Sequence, residues 1–210
     1  WEQGDKILLV SGNGSQKTVS TLSIKSLNRG GFSAEFEGEV PENSLTNGGS
    51  YRFFYVGQNS NGIGDRTIDA SKGINIDLTQ QTGELKDLKR NCVLTGTGKV
   101  VVSGKKAKTE GSITLTNVFA VAHFAVQPRD NVALTKVGLR GTGVYASAKV
   151  DLSTGAVTGE SEIGTVADPE SNIFFPKNDF YVTFVPGTVA PAFDGYYADS
   201  YTSVVKAKPE

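Results

Sequence analysis

The sequence predicts a nearly all-β fold, and three features support this interpretation. Short apolar segments recur along the chain, and in one of them Phe32, Ala34 and Phe36 alternate with polar residues at the period of a strand. Glycine accounts for 25 of 210 residues, above the usual share of roughly 7%, as expected where many tight turns join short strands. The one helical candidate, residues 78–90, contains Gly83 and lacks a wide apolar stripe, so it predicts a turn or two of helix at most.

The predicted strands are rich in Val, Thr, Phe and Tyr, which favour extended backbone. They cover residues 6–10, 18–24, 31–37, 51–56, 73–78, 99–102, 112–116, 118–126, 148–152, 156–158 and 180–185. In the last of these, Phe180, Val182 and Phe184 are expected to share one face.

Two pairs of strands are expected to form hairpins. Residues 99–102 and 112–116 flank a polar segment, 104–111, which we interpret as a long loop. Residues 148–152 and 156–158 flank Ser153-Thr154-Gly155, a three-residue loop in which Gly155 is placed to take a positive φ.

The segment 118–126 is apolar except for His123. A half-buried strand would alternate, so the pattern predicts a central strand covered on both faces, with a buried helix as the alternative. His123 is the single histidine of the chain, and any triad or multi-histidine metal site would need it. Its apolar neighbours Ala122 and Phe124 favour a neutral histidine in the core over a catalytic or ligand role.

Composition excludes several functional classes. Hydrophobic residues make up 38% of the chain, enough to bury a core, and 21 basic residues balance 22 acidic ones. No basic stripe for nucleic acid is present. No run of about 18 apolar residues predicts a membrane-spanning helix. The chain begins at Trp1 and contains no Met, so we expect a segment upstream that carried a signal or an anchor.

The sequence predicts neither an enzyme nor a cofactor or metal site. Residues 10–18 follow a strand and end in Lys-Thr, but Gln16 stands where a phosphate-binding loop needs glycine, so we expect a hairpin turn there. The single cysteine, Cys92, excludes an intrachain disulfide and is interpreted as a small hydrophobe, although Lys89 and Arg90 could lower its pKa. Scattered carboxylates, including Asp168, Glu170 and Asp194, leave a hydrolase or an ion site open, with loop solvation as the default.

One cluster is a candidate for ligand or partner contact. Tyr196, Tyr197 and Tyr201 lie in a segment of small and acidic residues, and exposed tyrosines can stack on sugars or anchor a protein partner. The alternative is that these rings belong to the core or to a hairpin.

Several motifs, taken in order, resemble the fimbrillin-like family of Gram-negative anaerobes. The opening Trp1-Glu2-Gln3-Gly4-Asp5-Lys6-Ile7 is similar to the W-x-x-G-D-x-I start of that family. The other segments that carry the resemblance are Phe32-Ser33-Ala34-Glu35-Phe36, Tyr51-Arg52-Phe53-Phe54-Tyr55, Ile113-Thr114-Leu115, Ala122-His123-Phe124-Ala125-Val126, Val137-Gly138-Leu139-Arg140-Gly141, Asp151-Leu152-Ser153-Thr154-Gly155 and Phe184-Val185-Pro186-Gly187.

The resemblance implies two transthyretin-like antiparallel β-sandwiches. A polar, proline-containing stretch at 127–131 places their boundary, giving domains 1–128 and 129–210, the second of them truncated. It also implies an exported lipoprotein, held in the outer membrane by a lipidated cysteine that would lie before Trp1. Its partners would be other pilus subunits, joined by insertion of a donor strand, and, for tip or adhesin components, a host protein or glycan.

The resemblance brings no catalytic residues, and strand insertion agrees with general physics. A sandwich that lacks one strand exposes an unpaired edge and an apolar slot. An extended segment from a neighbour can fill both. The predicted function is therefore a fimbrial, cell-surface subunit, and the alternative is a surface carbohydrate-binding module.

Overall fold

The computed structural model describes residues 1–12, 16–28, 30–57, 67–127, 134–164, 172–197 and 200–203, with side chains except at 67, 87, 197 and 200–203. Within these ranges the predicted all-β, antiparallel fold is confirmed. Helix appears in the described part of the chain at one place, a 3₁₀ turn over Leu85–Asp87 that continues into α1, Leu88–Asn91. The short helix predicted within 78–90 is therefore also found.

The strands are numbered in chain order. They are β1 Lys6–Ser11, β2 Thr18–Leu27, β3 Ala34–Glu37, β4 Ser50–Tyr55, β5 Thr67–Asp69, β6 Gly73–Asp77, β7 Leu94–Ser103, β8 Lys106–Thr109, β9 Thr116–Asn117, β10 Ala120–Ala125, β11 Lys136–Thr142, β12 Tyr145–Val150, β13 Val157–Glu162, β14 Ile173–Phe175, β15 Asp179–Phe184, β16 Ala190–Tyr197 and β17 Ser200–Ser203.

The chain divides into two compact units. The first comprises Trp1–Ile74, Cys92–Val118 and Val150–Ala156, and the second Asn75–Asn91, Phe119–Lys149 and Val157–Glu210. The boundary predicted between residues 128 and 129 lies outside the described residues and stays a prediction.

The first unit is built on one large antiparallel sheet. Its strands run in the order β3-β2-β1-β4-β7-β8, and β9 pairs with β7. Alternate residues point to a single apolar cluster, in which Leu9 stands opposite Phe53 in the β1–β4 ladder. Trp1, Leu22 and Phe36 pack against this cluster from its margins.

Two sequence predictions in the first unit are wrong. The predicted hairpin between 99–102 and 112–116 does not form: the segment 104–111 contains β8, which turns back tightly at Gly104 (φ 59°) and pairs with β7 from Val100↔Thr109 to Ser103↔Lys106. Of the predicted strand 112–116, Thr116 alone is in a strand, β9, which pairs with β7 at Leu94 and Thr95. Every residue of β8 is exposed, so the strand has no apolar face that the sequence could reveal. Phe32 does not share a face with Ala34 and Phe36: it precedes β3 and is 89% exposed.

The second unit contains short sheets around an aromatic core. One sheet has the order β14-β11-β16-β17, and a second sheet pairs β10 with β15. The predicted shared face of β15 is confirmed, since Phe180, Val182 and Phe184 are all buried. Phe180 stacks on Phe175 with ring centroids 4.2 Å apart.

A further sheet has the strand order β13-β12-β6-β5. The loop between β12 and β13 forms as predicted: Asp151 N–H donates to the carbonyl of Ala156 at 2.9 Å, and Gly155 has a φ of 73°. A Cβ on Gly155 would approach Thr95 Cγ2 at 2.9 Å, so close packing reinforces the choice of glycine.

Candidate functional site

The outer edge of β10 is the strongest candidate site in the described part of the chain. The strand pairs with β15 along one side, from Ala120↔Phe184 to Ala125↔Asp179. No strand among the described residues pairs with its other side. A free strand edge presents main-chain N–H and C=O groups that a further strand can bind.

The register shows which residues face outward from this edge. Thr183 and Tyr181 donate their main-chain N–H groups away from β10, to the side chain of Gln81 at 2.7 Å and the carbonyl of Gly83 at 2.8 Å. Opposed residues of an antiparallel pair that do not bond each other both point outward. Val121, opposite Thr183, and His123, opposite Tyr181, therefore direct their main-chain groups to the free edge.

The same hydrogen bonds satisfy the main-chain groups of β15 on the side that faces away from β10. The Gln81 side chain accepts from Thr183 N–H, and its own amide group donates to the carbonyls of Thr183 at 3.2 Å and Leu78 at 3.0 Å. Gly83 provides the next acceptor, for Tyr181. Among the described residues, this two-stranded sheet has main-chain partners beyond β15 at Thr183 and Tyr181, and no strand beyond β10.

Residue type distinguishes the β10 edge from three other terminal strands of the described sheets. Proteins block strand edges with charged residues, proline or bulges. Three of the other terminal strands, β3, β8 and β13, each carry two charged residues: Glu35 and Glu37, Lys106 and Lys108, Glu160 and Glu162. The three-residue terminal strand β14 carries none. β10 has the sequence AVAHFA, which contains no carboxylate, lysine, proline or glycine, and its Val121 is 43% exposed.

Core packing and hydrogen bonds fix the position of β10. Phe124 is buried, and its ring lies 5.0 Å from that of Phe193 and 5.9 Å from that of Phe180. Asn178 adds two bonds at the end of the strand, donating its side-chain amide to the carbonyl of Val126 and accepting from Val126 N–H. The edge is thus fixed in an extended conformation, which lowers the entropic cost of binding a partner strand.

His123 is not the buried core residue that the sequence predicted. Its side chain is 34% exposed, its Nε2 lies 2.6 Å from Asp179 Oδ1, and its ring stacks on Tyr181 at 4.5 Å. The strand assignment is right, but the strand is not covered on both faces: Phe124 is buried while Val121 and Ala125 are exposed. The prediction failed because the alanines of this segment count as apolar but are small enough to be exposed at little cost, so both faces need not be covered.

A shallow depression lies beside this histidine pair. It encloses about 410 Å³ and is lined by residues 82–86 together with Lys177, Asp179 and Tyr181. Within it Glu84 binds Lys86 at 2.7 Å and Lys177 at 3.3 Å, and these bonds hold the pKa of Glu84 below its usual range. Charged side chains therefore stand in the lining of this depression, in contrast with the uncharged edge of β10.

The tyrosine cluster predicted as a contact site is only partly described. Tyr196 is half-buried, packs edge-on against Phe174 at 5.4 Å, and accepts a hydrogen bond from Asn172 at 3.3 Å. The side chains of Tyr197 and Tyr201 lie outside the described part. The ladder pairs Tyr196 with Tyr201 and Tyr197 with Ser200, so consecutive positions 196 and 197 belong to opposite faces of the sheet.

Two features near Tyr196 were not found from the sequence. Lys136 Nζ lies 4.1 Å from the Phe174 ring and 4.7 Å from the Tyr196 ring, which places a cation over both. Asp194 is fully buried, and its carboxylate binds Arg140 at 2.7 Å and Asn172 at 3.0 Å. The interpretation of Asp194 as a solvated loop residue is wrong, because it lies within β16.

The remaining candidates from the sequence are only partly described. The Cys92 side chain is half-buried, forms no disulfide, and lies 3.8 Å from the Asn117 amide. Asp168, Glu170 and residues 13–15 lie outside the described ranges, but the strand expected from residue 18 onward is found as β2. Among the residues described, no three His, Cys, Asp or Glu side chains gather as metal ligands. Nor does that part of the chain contain a helix with the length and apolarity needed to cross a membrane.

Comparison with known proteins supports the fold alone. The chain matches no protein-family model and no curated protein. It is similar to the crystal structure of a protein from Bacteroides ovatus described as a putative cell adhesion protein, with a TM-score of 0.55 and 14% sequence identity. The match covers 100% of this chain and 80% of the other. At this identity the likeness concerns the arrangement of strands.

Proposed function

We propose that this protein is a fimbrial or adhesive subunit of the cell surface that assembles by accepting an extended strand along the outer edge of β10. The proposal rests on the β10 edge, which is uncharged and has no partner strand among the described residues. Val121 and His123 each offer one N–H and one C=O to an incoming strand. Each main-chain bond formed there contributes about 0.5–1.5 kcal/mol net.

Three observations support strand addition at this place. The edge is held in extended form by the buried Phe124, while the other side of the sheet is closed by Gln81. Charges that discourage pairing occur on β3, β8 and β13 but not on β10. A strand edge that is held extended and carries no such charge is suited to accepting a further strand.

The cellular setting is part of the same proposal. The similar Bacteroides structure is described as a putative cell adhesion protein, and the sequence motifs resemble fimbrillin-like lipoproteins of the outer membrane. Partners would be other subunits that donate a strand, and a lipid anchor before Trp1 would tether the assembly. Binding rather than catalysis fits the site, since its chemistry consists of main-chain hydrogen bonding around a histidine already paired with Asp179.

Substitution of Val121 tests the proposal. Val121→Lys places a charge on the edge without removing a bond to β15, because the main-chain groups of this residue face outward. We expect Val121→Lys to abolish assembly through the β10 edge of the exported protein, whereas the matched Val121→Thr, also β-branched but uncharged, assembles normally through it. Electron microscopy and light scattering measure assembly, and amide exchange of residues 121 and 123 should slow on polymerisation. Normal polymers of Val121→Lys, with these amides still exchanging rapidly, would contradict the proposal.

A second candidate, a surface carbohydrate-binding module, is favoured by the aromatic pair of Phe174 and Tyr196. Aromatic faces bind sugars by stacking, and Lys136 adds a cation beside the rings. A glycan array tests this function. Glycan binding that is lost in Tyr196→Ala and kept in the control Tyr145→Ala would support the module over the subunit.

A further inference from the structure

The two terminal strands of the large sheet in the first unit carry opposite charges. β3 at one end has the sequence AEFE, with Glu35 and Glu37 exposed. β8 at the other end has the sequence KAKT, with Lys106 and Lys108 exposed. Charges on a strand edge normally prevent pairing between identical edges. Here like edges repel, while the two different edges attract each other.

The direction of the strands permits these edges to join between copies. Neighbours in the order β3-β2-β1-β4-β7-β8 are antiparallel at every step. β3 and β8 therefore run in opposite directions. A second copy added in the same orientation brings its β3 antiparallel to β8 of the first, so the sheet continues with the same alternation.

Main-chain bonding shows which residues face outward on each edge. On β3, the bond from Asn28 N–H to the Ser33 carbonyl at 3.1 Å turns position 33 toward β2, so alternation turns Ala34 and Phe36 outward. On β8, the bond from Glu110 N–H to the Lys99 carbonyl at 2.8 Å turns position 110 toward β7, so Ala107 and Thr109 face outward.

One register satisfies both the main chain and the charges. Pairing Ala34 with Thr109 and Phe36 with Ala107 joins outward-facing groups. The same register sets the carboxylates against the ammonium groups, giving the pairs Glu35 with Lys108 and Glu37 with Lys106. A shift by one residue would oppose inward and outward main-chain groups, and a shift by two would leave only one Glu–Lys pair.

In this register, apolar side chains of β3 and β8 lie on one face of the joined sheet and charged side chains on the other. Phe36 lies on the core side of its sheet, where it contacts Trp1 at 4.9 Å. Ala107 stands opposite Val102, which packs against the same apolar cluster. The join would thus place Phe36 beside a small residue on the apolar face and the four charges together on the other. Within one copy, the competing contact of Glu35 is Lys25 at 3.9 Å, an exposed pair of little strength.

We propose that a second copy of this chain docks its β3 edge on the β8 edge of the first. The contact is head-to-tail and does not close, so it generates linear arrays. A four-residue ladder is small, and the association is therefore weak and sensitive to salt. This contact uses a different unit and a different edge from the β10 proposal and does not depend on it.

Charge reversal tests the contact in the intact chain. Wild-type protein should self-associate in sedimentation velocity at about 20 mM salt and dissociate at about 500 mM, where screening is strong. Glu35→Lys with Glu37→Lys should weaken self-association by at least about tenfold, and so should Lys106→Glu with Lys108→Glu, because each opposes like charges in the ladder.

The decisive measurement mixes the two reversed proteins. One has two basic edges and the other two acidic edges, so each alone stays monomeric while an equimolar mixture associates. A protein carrying all four reversals should self-associate again. All four positions are exposed, and unchanged thermal unfolding would show that the variants fold. Glu160→Lys, an edge charge in the second unit, is the control that leaves association unchanged.

The result that overturns the proposal is equally specific. Wild-type protein that stays monomeric at low salt, self-association that neither double reversal reduces, or a mixture that fails to associate would each refute it. Val121→Lys should leave this association intact, so a failure here is distinguishable from a failure of strand addition at β10.

Discussion

The side-chain amide of Gln81 pairs with the main chain of Thr183 as a residue of a neighbouring strand would. Its Oε1 accepts from Thr183 N–H at 2.7 Å, and its Nε2 lies 3.2 Å from the Thr183 carbonyl oxygen. Both residues are buried, so water does not replace these bonds. A single side chain therefore supplies what a strand would supply at this point of the β15 edge.

We expect Gln81→Leu to lower the free energy of unfolding by about 2–4 kcal/mol, because two buried main-chain groups lose their partner. Urea denaturation measures the change. The matched Gln80→Leu alters an exposed neighbour, and its effect should stay within about 0.5 kcal/mol. Equal effects of the two substitutions would show that the Gln81 bonds do not stabilise the sheet.

The buried pair of Arg140 and Asp194 provides a second test. Asp194 is fully buried, and the Arg140 side chain is 13% exposed. Asp194→Ala leaves a largely buried guanidinium without this partner, and we expect a loss of about 3–5 kcal/mol in stability. The exposed pair of Lys72 and Asp69, at 3.7 Å, serves for comparison. There, Lys72→Ala should lower the free energy of unfolding by less than about 0.5 kcal/mol. Thermal unfolding of both variants measures the two losses.

Two glycines with positive φ separate backbone strain from crowding. Gly83 (φ 78°) and Gly48 (φ 74°) have similar backbone conformations. A Cβ on Gly83 would meet Phe180 Cβ at 2.7 Å and Phe175 Cδ1 at 2.8 Å, whereas one on Gly48 would meet nothing within 4 Å. We expect Gly48→Ala to cost about 1 kcal/mol for the left-handed conformation.

Gly83→Ala should cost about 2–4 kcal/mol, since overpacking adds to the same backbone term. Guanidinium denaturation of the two variants gives the comparison. A Gly83→Ala protein as stable as Gly48→Ala would mean that the aromatic rings move aside without penalty.

The loop between β12 and β13 should respond to acid. The Asp151 carboxylate accepts from the N–H groups of Thr154 at 2.7 Å and Ser153 at 2.8 Å, and these bonds hold its pKa below the usual range, with that to Thr154 first in effect. A lowered folded-state pKa means that the contribution to stability is present above the unfolded pKa of about 3.9. It is then lost as the pH falls through the folded value.

Accordingly, Asp151→Asn should lower the melting temperature at neutral pH, and its difference from the wild type should shrink as the solution is acidified below about pH 3. Scanning calorimetry across this range measures the effect. The control Glu110→Gln removes an exposed charge without removing these loop bonds. A difference for Asp151→Asn that stays constant with pH would contradict this assignment.

Local sequence patterns predicted the positions of most strands, but they did not predict which strands pair with each other. The alternation of Phe180, Val182 and Phe184 identified both the strand and its buried face. β8 was missed because all its residues are exposed, and an edge strand needs no apolar face. β10 was found as a strand but misplaced in the core, since its open edge depends on pairing with β15, some 60 residues further along the chain.

The candidate site was hardest to predict for the same reason. Nothing in the local sequence of Gln81 indicates that its side chain closes the edge of a strand about 100 residues away. The partial exposure of His123 likewise follows from which side of β10 is covered, and not from its apolar neighbours. Both the contact of Gln81 and the exposure of His123 depend on pairing between segments that are far apart in the sequence.

Trp1 is the single tryptophan of the chain, and its ring packs edge-on against Phe36 at 4.9 Å and Tyr55 at 5.2 Å. All three rings belong to the first unit. Intrinsic tryptophan fluorescence therefore reports one unit alone, whereas far-UV ellipticity sums the strands of both. Recording the two signals along one denaturation curve gives an internal test of cooperativity: coincident transitions mean that the units unfold together, and separated ones give each unit its own stability.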